Sequence, residues 1–248
     1  MNKQLIKQKL KAFGWHFGVT LIIACLGAIL IFGVWYPGQL AEYVGGTELY
    51  KLVLLVELGV GPLMSLVIYN PAKPKSELVR DYSVIGLIQL SALVYGLYAV
   101  AESRPAYIVF VKDRLEVVTA IDFDSEDFAE ASDPYNQISW LGPRRVCVEY
   151  PTDPEERNEL VFSAVSGKDI QLFPKYYRGC KSGELEAKVY PAQQLKSIAQ
   201  LKSYNFVEGF PTGDFTWLPV KHRFGAWVEV YPEGDVSKGY FVDINPFE

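Results

Sequence analysis

The chain has 248 residues, of which 50% are hydrophobic and 21% are charged. Its 24 Lys and Arg residues against 29 Asp and Glu residues give a formal net charge of −5 at pH 7. This balance excludes a protein that binds nucleic acid through a broad basic face. The charge is also divided unevenly, because residues 1–103 carry +2 and residues 104–248 carry −7. The asymmetry predicts two parts with different surroundings.

Three long apolar segments lie within the first part, at residues 17–36, 52–69 and 82–101. The first and the third contain no charged residue, and the second contains only Glu57. Each is about as long as an α-helix that crosses roughly 30 Å of hydrocarbon. Because none has a polar face, packing them as core helices would leave no solvated surface. Residues 1–103 are therefore predicted to form a membrane domain with three transmembrane helices.

Basic residues near the ends of these segments predict the orientation, since Lys and Arg are retained on the cytoplasmic side. The loop between the first two segments contains a single basic residue, Lys51. The N-terminal tail and the loop 70–81 contain seven: Lys3, Lys7, Lys9, Lys11, Lys73, Lys75 and Arg80. The N-terminus is thus expected in the cytoplasm, and three crossings place residues 104–248 in the periplasm of a bacterium. A cleaved signal peptide is the alternative for the first segment, but that segment is longer than the apolar region of about 7–15 residues which signals contain.

Residues 104–248 are predicted to form a mixed α/β extracytoplasmic domain. Residues 106–121 read as a β-hairpin broken at Lys112-Asp113, and three further strand patterns follow at 215–220, 225–231 and 239–244. Helical spacing occurs at 153–166 and 191–203. Together these elements predict one domain of ordinary size after the membrane helices.

Cysteine placement agrees with an exported second domain. Cys147 and Cys180 are the two cysteines in that domain, and an oxidising compartment permits them to form a disulfide. Cys25 lies within the first apolar segment, where a lone thiol is usually a small apolar side chain. Two thiols without nearby histidines do not complete a zinc site, so we expect no metal here.

Glu57 is the candidate contact residue inside the membrane, because an ionised carboxylate in hydrocarbon costs several kcal/mol unless it is paired or neutral. Its helix face continues at steps of four through Gly61 and Ser65, small residues that allow a neighbouring helix to approach closely. Tyr95 of the third segment is the polar residue expected nearest its depth. Packing within the helix bundle, contact with a partner helix and proton transfer all remain open as roles for Glu57.

The sequence offers little for catalysis. His16 lies at the edge of the first segment, and His222 is flanked by Lys221 and Arg223. Neither has a recognisable partner, and the chain has no Gly-x-Ser-x-Gly elbow, no His-Glu-x-x-His motif and no Gly-rich phosphate loop. The acidic run 122–133 lacks the glycine that a calcium-binding loop needs at its sixth position. We therefore expect no enzyme and no cofactor.

Residues at the segment boundaries resemble those of the TfpX/TfpZ family of type IV pilin accessory proteins, which are bacterial inner-membrane proteins. The resemblance is strongest over residues 30–122. It is carried by Tyr36-Pro37-Gly38, Gly45-Gly46, Gly61-Pro62-Leu63, Glu77-Leu78-Val79-Arg80-Asp81, Gln89-Leu90, Ala92-Leu93, Tyr95-Gly96, Arg104-Pro105 and Asp113-Arg114. Glu57 stands where the family pattern would have Asp, so the carboxyl group is kept.

The resemblance implies an assembly factor with chaperone-like action on type IV pilin, acting in the lipid bilayer and in the periplasm. An alternative is an immunity protein, a membrane-bound binder that neutralises a toxin in the periplasm with its acidic domain. An enzyme acting on a lipid-linked substrate is a third alternative. The neighbouring gene, for a pilin or for a toxin, would discriminate the first two.

Overall fold

A computed structural model describes residues 3–201 and 209–247. The chain forms two compact units, Met1–Ser103 and Arg104–Glu248. The first unit is built from helices, and the second is built on a mixed β-sheet. Each unit is described by itself below.

The first unit contains three long helices joined by short connections. The first long helix, Lys3–Trp35, consists of α1 (Lys3–Leu30) and a π-helical turn, Ile31–Trp35. After the one-turn helix α2 (Leu40–Tyr43), the second long helix, Gly46–Ile68, consists of α3 (Gly46–Leu54), a π-helical segment (Leu55–Val60) and α4 (Gly61–Ile68). The third long helix is α5 (Lys75–Glu102).

Among the described residues, these three helices are long and apolar enough to cross a membrane. Each contains one of the predicted segments, so three apolar helices at the N-terminus are confirmed. The first long helix begins at Lys3, well before residue 17. The N-terminal tail is rich in Lys, Gln and Leu, which are good helix formers, and this explains why the helix begins before the apolar segment.

The second unit contains a sheet with the strand order β4-β3-β1-β2-β6-β7-β8, and β5 pairs with β6 beside this path. The pairs β1–β3 and β2–β6 are parallel, and the other pairs are antiparallel. The strands are β1 (Pro105–Val111), β2 (Arg114–Thr119), β3 (Arg144–Val148), β4 (Tyr177–Arg178), β5 (Tyr190–Pro191), β6 (Phe215–His222), β7 (Gly225–Pro232) and β8 (Tyr240–Val242).

Two helices cover one face of the sheet. Leu160 of α6 (Pro154–Val165) packs into the apolar cluster around β1 and β3, and Leu195 of α7 (Ala192–Leu201) packs into the cluster around β6 and β7. The strand register places both clusters on the same face. All seven residues of β1 are buried, as expected of a central strand. The resulting mixed α/β architecture is the predicted one.

The sheet is curved, so that separated strands approach each other on its other face. A guanidinium nitrogen of Arg145, on β3, lies 2.7 Å from Oε1 and 2.9 Å from Oε2 of Glu229, on β7, although three strands separate β3 from β7 in the sheet order. The Tyr231 hydroxyl donates a third hydrogen bond to the Glu229 carboxylate at 2.9 Å. This buried charge is therefore fully paired, which is the condition for keeping a carboxylate inside a protein.

The predicted hairpin, both predicted helices and the C-terminal strands are present, with boundaries that differ by a few residues. The end of the second predicted helix, residues 202–203, lies outside the described residues. The sequence analysis did not assign β3, whose parallel pairing with β1 joins residues more than thirty positions apart. Such a pairing leaves no local turn signal.

Candidate functional site in the apolar helices

Glu57 lies at the midpoint of the second long helix, within its π-helical segment. Its side chain is only 4% exposed. The buried Oε1 atom accepts no hydrogen bond from any residue that the structure describes. Because buried polar groups are nearly always hydrogen-bonded, an open carboxyl oxygen among apolar helices marks a position that needs a further partner.

A second polar cluster joins all three long helices, and in it Nε2 of Gln89 has no hydrogen-bond partner among the described residues. Nδ1 of His16 lies 2.6 Å from Oγ of Ser65, and Nε2 of His16 lies 2.7 Å from Oε1 of Gln89. A neutral imidazole with its proton on Nε2 donates to Gln89 and accepts from the Ser65 hydroxyl. These bonds fix the relative positions of the three helices, because each residue comes from a different one.

Gly61 leaves room for the side chain of Gln89 from the third long helix. A Cβ atom added to Gly61 would overlap the side-chain amide of Gln89. Gly61 and Ser65 therefore contact other helices of the same unit, as small residues at helix interfaces do. Gln89, rather than Tyr95, is the polar residue of the third helix that meets this face.

Tyr95 lies near Glu57 but forms no described hydrogen bond with it. Both residues line a groove between the second and third long helices, with a volume of about 180 Å³. The Tyr95 side chain is 73% exposed, and no hydrogen bond described for this unit joins it to Glu57. A second cavity of about 240 Å³, lined by all three helices, lies on the inner side of Glu57. The carboxyl group thus stands between two apolar spaces.

Sequence reasoning did not find the roles of His16 and Gln89. Ser65 and Gln89, the two partners of His16, are 49 and 73 residues away from it in the sequence, so no local spacing connects them. The available signal was the presence of a polar amide in an otherwise uncharged apolar segment, since such residues usually bond across helices.

In the second unit, a groove of about 650 Å³ lies between the β1–β2 turn and helix α6. Its lining combines basic and apolar side chains, among them Lys112, Arg157 and Leu160. Burial in this groove raises the pKa of Tyr150. Helix α6 exposes three large apolar side chains here, of which Val161 and Val165 line the groove and Phe162 does not. This is an amphipathic surface of the kind that binds proteins.

The predicted disulfide is present. Cys147 of β3 is bonded to Cys180, and their Cα atoms are 5.0 Å apart. Cys25 is a free thiol. Close to Cys180, Arg178 forms two bonds to the carboxylate of Glu184, at 2.6 and 2.8 Å, and lowers the pKa of Glu184 to about 2. The disulfide thus lies beside a tightly paired charged turn.

His222 is buried at the end of β6, with 4% of its side chain exposed. Neither ring nitrogen has a hydrogen-bond partner among the described residues. Its ring packs against Phe224 and Trp227 at centroid distances of 5.2 and 6.3 Å. Burial lowers the pKa of His222 to about 4, so the ring is neutral near pH 7. The His222 ring thus lies in largely apolar surroundings.

The chain thus combines three long apolar helices that share an internal polar cluster with an α/β unit that carries a disulfide. In the described part of the chain, no group of three His, Cys, Asp or Glu residues is arranged to hold a metal ion.

Comparison with known proteins extends this description. The family profile "Fimbrial assembly protein FimB" matches residues 4–44. Over the whole length of both proteins, the chain is 36% identical to the fimbrial assembly protein of serogroup I of Dichelobacter nodosus and 33% identical to that of serogroup E1. The protein of serogroups C1 and C2 is 36% identical over all of its length, which corresponds to 53% of this chain. No solved structure matches.

The chain belongs to the fimbrial assembly protein family, since relatives above 30% identity cover it completely. This membership supports the pilus accessory class that the sequence resemblance implied.

Proposed function

We propose that this protein is an assembly factor of the bacterial inner membrane that binds type IV pilin and aids its stability or assembly without acting as an enzyme. The observation that carries the proposal is the similarity to fimbrial assembly proteins over the whole chain, which includes both units. Within this class we assign the chain to the TfpX/TfpZ type on the boundary residues described above.

The proposed location follows from three features. The three long helices have the length and apolarity of membrane spans. Seven basic residues near the helix ends favour a cytoplasmic N-terminus. The Cys147–Cys180 disulfide favours an oxidising compartment for the second unit, which in a bacterium is the periplasm.

Both units offer contact surfaces for a partner that spans the membrane once and has a folded head outside it. The helices present the groove at Glu57. The second unit presents the exposed apolar residues of α6 beside the groove that contains Lys112 and Arg157. The names of the relatives favour assembly over toxin immunity, because all three are fimbrial assembly proteins.

Deletion of the gene in its native host tests the proposal. We expect loss of surface pili and lower amounts of pilin in the membrane, and restoration of both by the full-length chain supplied from a plasmid. Pilin should also co-purify with a tagged chain from detergent-solubilised membranes. Normal piliation in the deletion strain, together with no pilin in the purified fraction, would exclude the proposed function.

A further inference from the structure

We infer that the groove between the second and third long helices is the binding site for the membrane-spanning helix of the pilin, and that this helix brings a hydrogen-bond donor to Glu57. The inference rests on the proposed function and deepens it, since it names the site in the membrane and the chemistry of the bound segment. It is carried by the juxtaposition of a buried carboxyl oxygen that has no hydrogen-bond partner among the described residues and an apolar groove that the same residue, Glu57, lines.

The shape of the groove fits a helix. Ala92, Gly96 and Ala99 follow one another along the third helix at steps of four and three, and all line the groove. A Cβ atom added to Gly96 would lie 2.7 Å from Cγ2 of Val53, so the two helix backbones are close at the floor. The rims are formed by exposed side chains, among them Leu52 and Tyr95. Small residues below larger rims allow close approach of another backbone.

The groove favours a bound segment that carries a hydrogen-bond donor for Glu57. The lining is apolar apart from Glu57 and the rim hydroxyl of Tyr95. A lipid acyl chain in the groove would leave Oε1 of Glu57 without a hydrogen bond, at the cost that unpaired buried polar groups carry. An apolar helix with an N–H or O–H group at the depth of Glu57 packs against the apolar lining and also donates a hydrogen bond to the carboxyl group. Such polar contacts between membrane helices are a recognised source of specific pairing.

The position of Glu57 sets the depth of that donor. Glu57 is the central residue of the helix Gly46–Ile68, so it lies about 16 Å from either end at 1.5 Å per residue. The partner group is therefore a polar residue near the middle of a membrane span. His16 is not available as that donor, because its two ring nitrogens already bond Ser65 and Gln89.

Site-specific photocrosslinking in cells that express pilin tests the site directly. A photoreactive amino acid replaces Tyr95 at the groove rim or, as a matched control, Tyr98 one turn further along the same helix. Tyr98 is 60% exposed but does not line the groove. We expect the pilin crosslink at position 95 to be at least fivefold stronger than at position 98. Equal crosslinks at the two positions, or a crosslink from position 95 only to a second copy of this chain, would overturn the inference.

Substitutions test the donor. Glu57→Leu should lower the crosslink from position 95 at least fivefold, whereas Glu57→Gln keeps an acceptor oxygen and should retain at least half of it. Ala92→Leu fills the groove floor and should also abolish the crosslink, whereas the exposed neighbour Ser91 can be changed to Leu without this effect. Accumulation of each variant in the membrane is measured in parallel. If a variant fails to accumulate, the pilin crosslinks at positions 95 and 98 of the otherwise unchanged chain still test whether the groove is the binding site.

A third crosslinking position separates this inference from the proposed function. Phe162 on α6 is 73% exposed and belongs to the second unit. If pilin crosslinks at position 162 or co-purifies, but position 95 gives no pilin and Glu57→Leu supports normal piliation, the groove is not the site while the proposed function stands. If deletion leaves piliation unchanged and pilin neither crosslinks nor co-purifies, both fail.

Discussion

His16 connects the three long helices through its two ring nitrogens, which bond Ser65 and Gln89. Substitution by Leu would leave the serine hydroxyl and the glutamine amide without this partner in apolar surroundings. We expect His16→Leu to lower the free energy of unfolding by about 1–3 kcal/mol. The measurement is thermal unfolding of the full-length protein in detergent.

Trp15→Leu is the matched control for His16→Leu, because Trp15 is the preceding residue and its side chain is exposed. The control should change the melting temperature little. Equal melting temperatures for the two variants would show that the polar cluster contributes nothing measurable to stability.

His222 gives the second unit a defined dependence on pH. In the folded protein its pKa is about 4, whereas in the unfolded chain it returns to its ordinary value of 6.5. Between these values the unfolded state binds a proton and the folded state does not, so stability present above pH 6.5 is lost as the pH falls towards 4. The loss is at most about 3 kcal/mol, from 1.36 kcal/mol for each unit of pKa.

The measurement is the melting temperature of the full-length protein in detergent from pH 7 to pH 4, for the unchanged chain and for His222→Phe. Carboxylates such as Glu184 titrate in both proteins, so the difference between them isolates His222. We expect the fall in melting temperature between pH 6.5 and 4 to be smaller in His222→Phe. Parallel curves would contradict the assignment.

At the scale of elements, Gly61 tests the contact between the second and third long helices. Leu at this position would overlap the Gln89 amide and displace it from its bond to His16. We therefore expect Gly61→Leu to lower accumulation of the protein in the membrane, rather than only its binding of a partner. Gly59 in the same helix has no other group within 4 Å of an added Cβ, so Gly59→Leu is the control and should accumulate normally. Equal accumulation of both variants in an immunoblot of membranes would contradict this role of Gly61.

The disulfide links β3 to the turn that follows β4, and Cys180 comes 33 positions after Cys147. Closing a loop of this size stabilises the folded unit by about 3–4 kcal/mol in the chain-entropy model. Without reductant the protein should migrate faster in a denaturing gel than its reduced form. Cys147→Ser should remove this difference and lower the melting temperature, whereas Cys25→Ser should do neither. Free, alkylatable thiols at 147 and 180 in protein taken from membranes would refute the bond.

The sequence predicted those elements whose signals are local. The β1–β2 hairpin, helix α6 and strands β6 to β8 each carry their own periodicity and lie beside turn residues such as Asp113, Gly167 and Gly234. The parallel pairs β1–β3 and β2–β6 and the π-helical segment around Glu57 depend on contacts between distant residues, so a reading of one segment at a time does not reveal them. For the same reason Glu57 was identified from its charge, but its neighbours were not.

At the scale of the whole molecule, the placement of the basic residues agrees with the packing of the helical unit. Nζ of Lys9, near the start of the first long helix, donates to the backbone oxygen of Leu66 near the end of the second at 2.8 Å. The N-terminal tail and the loop 70–81 therefore lie at the same end of this unit. Lys73 in that loop forms ion pairs with Asp81 at 2.7 Å and Glu77 at 3.0 Å. Because acidic residues contribute little to the orientation of membrane helices, Lys73 still counts among the basic residues that predict the topology.

Reporter fusions test the resulting topology. Alkaline phosphatase is active only after export, so a fusion after Glu248 should be active and a fusion after Lys75 should be inactive. The physical reason is that moving the seven basic residues at the cytoplasmic end across the membrane is unfavourable, while three crossings carry the chain after Glu102 to the opposite side. A cytoplasmic reporter such as green fluorescent protein should give the reverse pattern at both positions and serves as the control for expression. Phosphatase activity at Lys75 without activity at Glu248 would show that the N-terminus and the loop 70–81 face the periplasm, and the α/β unit would then have to meet its partner in the cytoplasm.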